Sequence, residues 1–268
     1  EEDLAAHRPE WVTPLAADFG EYTLHEVPPN SQGIAALVAL RLLSGTQIAE
    51  VSPDSAAGVE LQLRAMRVAQ EAVAAEVADP EHMPRAADSL ISNESIDRLR
   101  VRMSDVPRPA IMGKDSHSDG DTVYLTAADA SGVMVSFIQS NYYDFGSGLV
   151  VPETGISLHS RAACFSLDPR HPNHVAGGKR PFHTLCPAFV TSRGRPVMSF
   201  GVMGGHMQPQ GHLQTFLRIC AHGQNPQSAC DAPRWHVTPD GTVLLEAGFT
   251  DSIMPRLQEQ GYRVQSAP

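Results

Sequence analysis

Between Gln32 and Leu43 the chain is almost continuously apolar, and Ile34, Leu37, Val38 and Leu42 fall on one helical face. Arg41 stands at the margin of that face, where its long stem carries the charge outward. Gly45 supplies a stop. A second helix is predicted from Ser52–Pro53, with Ser as N-cap and Pro in the first helical position, to Val77 or Ala78. Leu61, Ala65, Val68 and Ala72 form its apolar face, and Asp79–Pro80 ends it. A third helix is predicted over Asn93–Met103, with Asn93 as its cap. Residues 1–31 read as irregular or extended, broken by Pro9, Pro14, Pro28 and Pro29. Residues 104–121 read as a polar loop rich in Asp, Ser and His.

At Thr122 the period changes from helical to two. Val123, Leu125 and Ala127 alternate with Tyr124, Thr126 and Ala128, a turn follows at Asp129–Gly132, and a second strand runs through Val133, Val135 and Phe137. Further strands are predicted at 187–192 and 196–202 around a Ser192–Arg195 turn. A helix follows over His206–His222, with Leu213, Phe216, Leu217 and Cys220 at helical spacing. Short strands at 234–237 and 242–246 precede a last helix at 251–259. No internal repeat is present. Helices first, then strands, then helices between strands predict mixed α+β packing.

Composition narrows the function. With 42% hydrophobic and 19% charged residues, the 268-residue chain has ample material for a buried core. It lacks an apolar run long enough to span a membrane. The net charge of −10 disfavours nucleic acid as a partner, because phosphate binding needs clustered Lys and Arg. All of that acidic excess precedes Thr122, so the two stretches differ in character. The four cysteines, Cys164, Cys186, Cys220 and Cys230, form no C-x-x-C pair and read as buried small residues rather than a zinc or disulfide framework. Twelve histidines invite a metal, but His117, Asp119 and Asp121 in the loop, and His206 and His212 beyond it, show no metal-ligand spacing; no metal and no cofactor is expected. The chain opens Glu1-Glu2-Asp3 without Met or signal segment, which leaves cytoplasm and periplasm both open.

Candidate chemistry begins at Asp121–Thr122. A Thr heading a strand is ordinarily only a strand residue. Gly204–Gly205, between a strand and a helix, offers free backbone N–H groups of the kind that form an oxyanion hole, but alone is a tight turn. Phe145–Gly148 is a second sharp turn. Together with their neighbours these pieces form an ordered set: Thr122–Asp129 (TVYLTAAD) with Gly132, Phe145–Gly148, Gly155–Leu158, Gly178–Pro181, Gly204–Gly205, Ala232–His236 (APRWH) and Glu246–Phe249. In order and spacing this set resembles the small subunit of the γ-glutamyltransferase family. Pro28–Gly33 (PPNSQG), the Leu61–Val77 helix and Asp79–Pro80 resemble the last part of that family's large subunit.

The resemblance implies an N-terminal nucleophile hydrolase with a four-layered αββα sandwich, partial here, in which the Thr122 strand is central. Residues 1–121 would be the end of the large-subunit region and 122–268 the small, catalytic region, intertwined in one domain. The first part of the large subunit, which would supply an Arg for the substrate carboxylate, would be a missing partner. The resemblance further implies self-cleavage between Asp121 and Thr122, the two products staying associated. Thr122 would then be the nucleophile, its freed α-amine (pKa about 7.7–8.0) acting as base for its own hydroxyl. By position, Gly204 and Gly205 would be the oxyanion hole, Ser140 would contact the nucleophile's amine, and His183 and Thr184 would replace a Ser-Ser pair at the substrate carboxylate.

Three positions depart from the family pattern. Tyr142 stands where the family has a substrate-binding Asn, with Asn141 one residue earlier. Cys164 replaces the acidic residue that pairs with the substrate ammonium, a role a thiol does not fill. Arg161 replaces a neutral polar residue and adds positive charge. The expectation is a γ-glutamyltransferase-like acyltransferase or amidohydrolase acting on a small-molecule γ-glutamyl or acyl amide. The alternatives are an acylase for a non-γ-glutamyl, for example glutaryl-type, group, or a truncated, non-catalytic family member.

Overall fold

The computed structural model describes residues 2–104, 122–249 and 252–267. The expected 104–121 loop, with His117, Asp119, Asp121 and the bond before Thr122, lies outside them, Ser104 apart.

The centre of the molecule is α2 (Ile34–Leu43), in which every residue except Arg41 is buried. The sequence suggested one apolar face; a segment apolar all round is instead enclosed on all sides. It packs on α3 (Ala56–Glu76), α4 (Asn93–Val101), α5 (Gln208–Phe216) and a four-stranded antiparallel sheet. That sheet has the order β1 (Leu15–Phe19), β2 (Tyr22–Glu26), β5 (Ala188–Ser192), β6 (Arg195–Phe200). Ala17, Leu24, Val190, Ala188 and Phe200 lie buried in its strands. The β5–β6 turn uses Arg193 and Gly194, both at positive φ (50° and 77°), the twist that matches a two-residue hairpin.

The β1–β2 hairpin occupies part of the N-terminal segment that read as irregular or extended from its prolines. Its strands hid because β2 carries Glu26 toward the core, a charge that reads as solvent-facing. Glu26 is buried and its Oε1 lies 2.6 Å from Nδ1 of His212 on α5, which gives that carboxylate its partner.

Other boundaries moved for local reasons. Helix α3 starts at Ala56 because Ser55, not Ser52, caps it, its hydroxyl accepting from Gly58 N–H. Ser92, not Asn93, caps α4. The expected 206–222 helix is a short 3-10 turn (Gly205–Met207), α5, and a π-helical stretch (Leu217–Ala221). Helices α1 (Glu2–Ala6) and α6 (Pro226–Asp231) were not foreseen. Beyond α6, β7 (Trp235–Val237), β8 (Thr242–Leu245) and β9 (Arg263–Ser266) form a third sheet with α7 (Ile253–Glu259). Of the cysteines only Cys186 is buried; Cys164 and Cys220 are half-buried and Cys230 is exposed, and none of the four is in a disulfide.

The predicted hairpin forms as β3 (Val123–Ala128) and β4 (Met134–Gln139), in register from Val123 opposite Gln139 to Ala128 opposite Met134. One of its faces rests on β6. Thr126 Oγ1 bonds Ser199 Oγ, Ser136 Oγ donates to Phe200 O at 3.4 Å, and the Tyr124 ring covers Gly201 so closely that a Cβ there would sit 2.6 Å from it. Helices, sheet and hairpin thus follow an α–β–β order. Among the described residues β3 pairs with β4 alone, so it is an edge strand rather than the central strand expected, and Val123, Leu125, Val135 and Phe137 face outward, exposed.

Candidate active site

Side chains on a strand alternate, so Thr122, Tyr124 and Thr126 share the face turned to β6. Thr126 meets Ser199 and Tyr124 meets Gly201. Thr122 directly precedes β3, and Gly204 lies four residues beyond Phe200, the last residue of β6. Thr122 is 8% exposed. Ser140 directly follows β4, as Thr122 directly precedes β3, next to the Val123–Gln139 pair that ends the register.

Gly204 and Gly205 both have positive φ (112° and 55°), a conformation that favours glycine. Among the described residues neither N–H donates to another group, so the turn presents two adjacent free donors at the start of the 205–207 turn leading into α5.

Gln32, fully buried, ties this turn down. Its Nε2 donates to Gly205 O at 2.8 Å and to Thr184 O at 3.0 Å, while its Oε1 lies 3.3 Å from His206 Nδ1. Gln32 N–H donates to His183 O at 3.0 Å, so the 28–33 segment lies along 181–186. Sequence reasoning quoted Gln32 within a motif and gave it no role. An amide whose partners are carbonyls about 150 residues away leaves no local signal.

Arg161 is 6% exposed. Its Nη2 donates to Ser140 O at 3.0 Å, its Nη1 to Thr184 Oγ1 at 3.4 Å, and its guanidinium carbon lies 5.6 Å from the centre of the Tyr142 ring. Ser140 Oγ accepts from Tyr142 N–H at 2.9 Å. Tyr142 adopts a positive φ (81°), unusual for a bulky side chain, and its ring packs on Tyr143 at 4.2 Å. Burial, then the neighbouring Cys164 thiol, hold the Tyr142 phenol well above its ordinary pKa. Asn141 O accepts from Ser160 N–H and hydroxyl at 3.0 and 3.1 Å. Cys164 O accepts from Asn173 Nδ2 at 2.7 Å. His183 Nδ1 accepts from Leu185 N–H at 3.2 Å, and burial, with the charges of Arg161, Arg180 and His159, pulls its pKa down to about 4.

The structure therefore gathers Ser140, Tyr142, Arg161, Cys164, His183 and Thr184 around the end of β4, and links them through Gln32 to Gly205. It spends His206 and His212 on Gln32 and Glu26. Among the described residues no cluster of His, Cys, Asp or Glu could hold a metal ion. No helix among them is long and apolar enough to cross a membrane.

This arrangement is the α+β architecture of N-terminal nucleophile hydrolases. The chain overlays a cephalosporin acylase from Bacillus halodurans with a TM-score of 0.90 at 40% identity, over 100% of this chain and 48% of that one. The γ-glutamyltranspeptidase family profile matches residues 1–268, and the chain belongs to that family. It is 33% identical over 271 residues to the glutathione hydrolase-like YwrD proenzyme of Bacillus subtilis, covering 98% of this chain and 51% of the relative. It is 35% identical over 268 residues to the oxamate amidohydrolase proenzyme of Klebsiella pneumoniae, covering 98% and 50%. The chain spans about half the length of the curated relatives it matches.

Proposed function

We propose that this chain carries the nucleophile of an amide-cleaving acylase, with Thr122 freed by a cut after Asp121. What supports the reading is that Thr122 heads β3, whose Tyr124 and Thr126 meet β6 and its continuation, the stretch that leads into the Gly204–Gly205 turn and its two free N–H groups. The freed α-amine takes the hydroxyl proton as Oγ attacks the substrate's amide carbon. The carbonyl oxygen becomes an oxyanion facing the two glycine donors; one such donor contributes about 10²–10³ in rate. The C–N bond then breaks, the departing amine takes the proton, and an ester on Thr122 remains. Attack by water releases the acid and restores the hydroxyl; attack by an amine transfers the acyl group instead.

The acyl group is not γ-glutamyl. A γ-glutamyl end carries an ammonium that calls for a carboxylate, and Cys164 and Tyr142 supply a thiol and a phenol held in its neutral form. The names of two relatives, an oxamate amidohydrolase and a cephalosporin acylase, fit amide substrates other than glutathione.

Intact mass and an acyl-amide panel test this. The wild-type chain is expected as two pieces, 1–121 and 122–268, and Thr122→Ala as one uncut, inactive chain. Cleavage and hydrolysis by Thr122→Ala would remove Thr122 from the mechanism. An uncut, inactive wild-type chain would instead make this a non-catalytic member of its family.

A further inference from the structure

Two glycines near the glycine turn have no room for a side chain. A Cβ on Gly201 would lie 2.6 Å from both Cδ2 and Cε2 of the Tyr124 ring on β3. A Cβ on Gly211 of α5 would lie 2.6 Å from Cγ2 of Val202. Carbon atoms in favourable contact sit about 3.5–4.0 Å apart. Each approach is therefore possible only because a glycine stands there. Gly201 and Val202 are consecutive residues of the stretch that runs from β6 to the Gly204–Gly205 turn. The hairpin meets the first of them and the helix meets the second.

Both neighbours are themselves held. The Tyr124 hydroxyl lies 2.8 Å from Ser136 Oγ on β4, and Ser136 Oγ donates to Phe200 O at 3.4 Å, so the ring is fixed at its tip as well as by its strand. Helix α5 is tied to β7. Gln210 exchanges two hydrogen bonds with the Val237 backbone, at 2.8 and 3.0 Å, and Gln214 exchanges two with that of Trp235, both at 3.0 Å. Tyr124 stands two residues after Thr122, and Gly201 three residues before Gly204. The Tyr124–Gly201 contact thus joins the Thr122 strand to the oxyanion turn over a very short length of backbone.

We propose that Tyr124 is a positioning residue: its ring, seated on bare Gly201, sets the spacing between the Thr122 end of β3 and the Gly204–Gly205 turn, with Gly211 against Val202 as a second stop. This deepens, and rests on, the reading of Thr122 as nucleophile and of the two glycines as its oxyanion hole. A methyl group added at Gly201 has to open the ring contact by about 1 Å. A misplacement of that size costs on the order of 10²-fold in rate, because the donors no longer meet the oxyanion where it forms. The groups gathered at the end of β4 do not take part in the contact, so kcat falls and KM stays.

The test is a double-mutant cycle read in kcat and KM on acetyl and glutaryl p-nitroanilides, with kcat taken per cleaved chain. Gly201→Ala is expected to lower kcat about 10–100-fold and to leave KM within about twofold. Tyr124→Val keeps a strand-forming residue and removes the ring. In that background Gly201→Ala is expected to cost less than about threefold. Gly211→Ala should also lower kcat, and adding Val202→Ala should restore part of it. A Gly201→Ala loss of the same size in both backgrounds, a loss confined to KM, or no loss overturns the proposal. A second readout needs no catalysis: the amide signals of Gly204 and Gly205 in spectra of 15N-glycine-labelled protein. Gly201→Ala is expected to shift both signals, and to shift them little in the Tyr124→Val background. Unmoved signals, or equal shifts in both backgrounds, refute the positioning role. The expected pattern of shifts in a protein without turnover upholds the positioning of the turn by Tyr124 and refutes only the nucleophile reading. Should Gly201→Ala fail to fold, Gly211→Ala and Val202→Ala, alone and together, supply the cycle, and additive losses there overturn the proposal.

Discussion

Replacing Gln32 probes whether one buried amide holds the glycine turn in place. Gln32→Met keeps the length of the side chain and removes both donors. Gly205 O retains the N–H of Gln208, and among the described residues Thr184 O retains only the Cys186 thiol at 3.4 Å. Two neutral hydrogen bonds at about 0.5–1.5 kcal/mol each give an expected loss of roughly 1–3 kcal/mol. At about 2–4 °C per kcal/mol for a chain of this size, Tm should fall by about 4–8 °C for the middle of that range. Gln32→Glu sharpens the test. At neutral pH it would direct a carboxylate at two carbonyl oxygens in a site closed to water, a cost of about 3–5 kcal/mol. The buried carboxyl would relieve that cost by staying protonated, so the folded state would hold more protons than the unfolded one. Stability of this variant should therefore fall as pH rises from 5 to 8, relative to wild type. Thermal melts by circular dichroism across that range read both effects. Turnover adds the functional half: a loosened turn lowers kcat, by about tenfold against the larger loss of a whole oxyanion donor, with KM unchanged. A Gln32→Met variant within 0.5 °C of wild type, or a Gln32→Glu variant more stable than Gln32→Met at pH 8, would refute the reasoning.

Three further outcomes follow from other contacts. His212→Ala strands the Glu26 carboxylate in the core and should cost about 3–5 kcal/mol in urea unfolding, while the double change Glu26→Leu with His212→Leu should recover much of it. Gly58→Ala should destabilise α3 despite the better helix propensity of Ala, because the new Cβ would lie 2.2 Å from Ser52 O; a gain in Tm would contradict this. His183 has a folded pKa of about 4 against an ordinary 6.5, so the unfolded chain takes up its proton first as pH falls. Its contribution is flat above about pH 6.5 and declines by on the order of 2–3 kcal/mol toward pH 4. His183→Gln should flatten that part of the stability curve, and NMR titration of Arg161→Met should show the His183 pKa moving up.

Local rules read the elements that are locally determined. The helical period of residues 34–43 and 56–76 and the Asp129–Gly132 turn gave α2, α3 and the β3–β4 hairpin within a few residues. The Gly204–Gly205 turn was legible because a strand had to hand over to a helix at two glycines. What escaped was non-local. Strand β2 is recognisable only through β5, to which it pairs from Tyr22–Ser192 to His25–Phe189, and through a histidine on α5 that satisfies Glu26. Arg161 read as an added positive charge among the substrate-binding positions, but nothing near it in sequence shows that Tyr142 and Thr184 close over it. Cys230 read as buried from its apolar neighbours, whereas α6 turns it outward.

The pairing of β2 with β5 has a consequence for how the protein would age. A cut before Thr122 leaves β1, β2, α2 and α3 on one piece and β5, β6 and α5 on the other, joined along the middle of a single sheet. Before the cut, unfolding is a unimolecular event that the chain can reverse by itself. Afterwards two strangers must find each other, and recovery would depend on concentration. Melting the cut protein should show hysteresis that deepens on dilution, while an uncut variant retraces its curve. The mature molecule would thus be persistent by slow opening rather than by ready refolding, folded once and carrying that history in a seam it cannot easily rebuild.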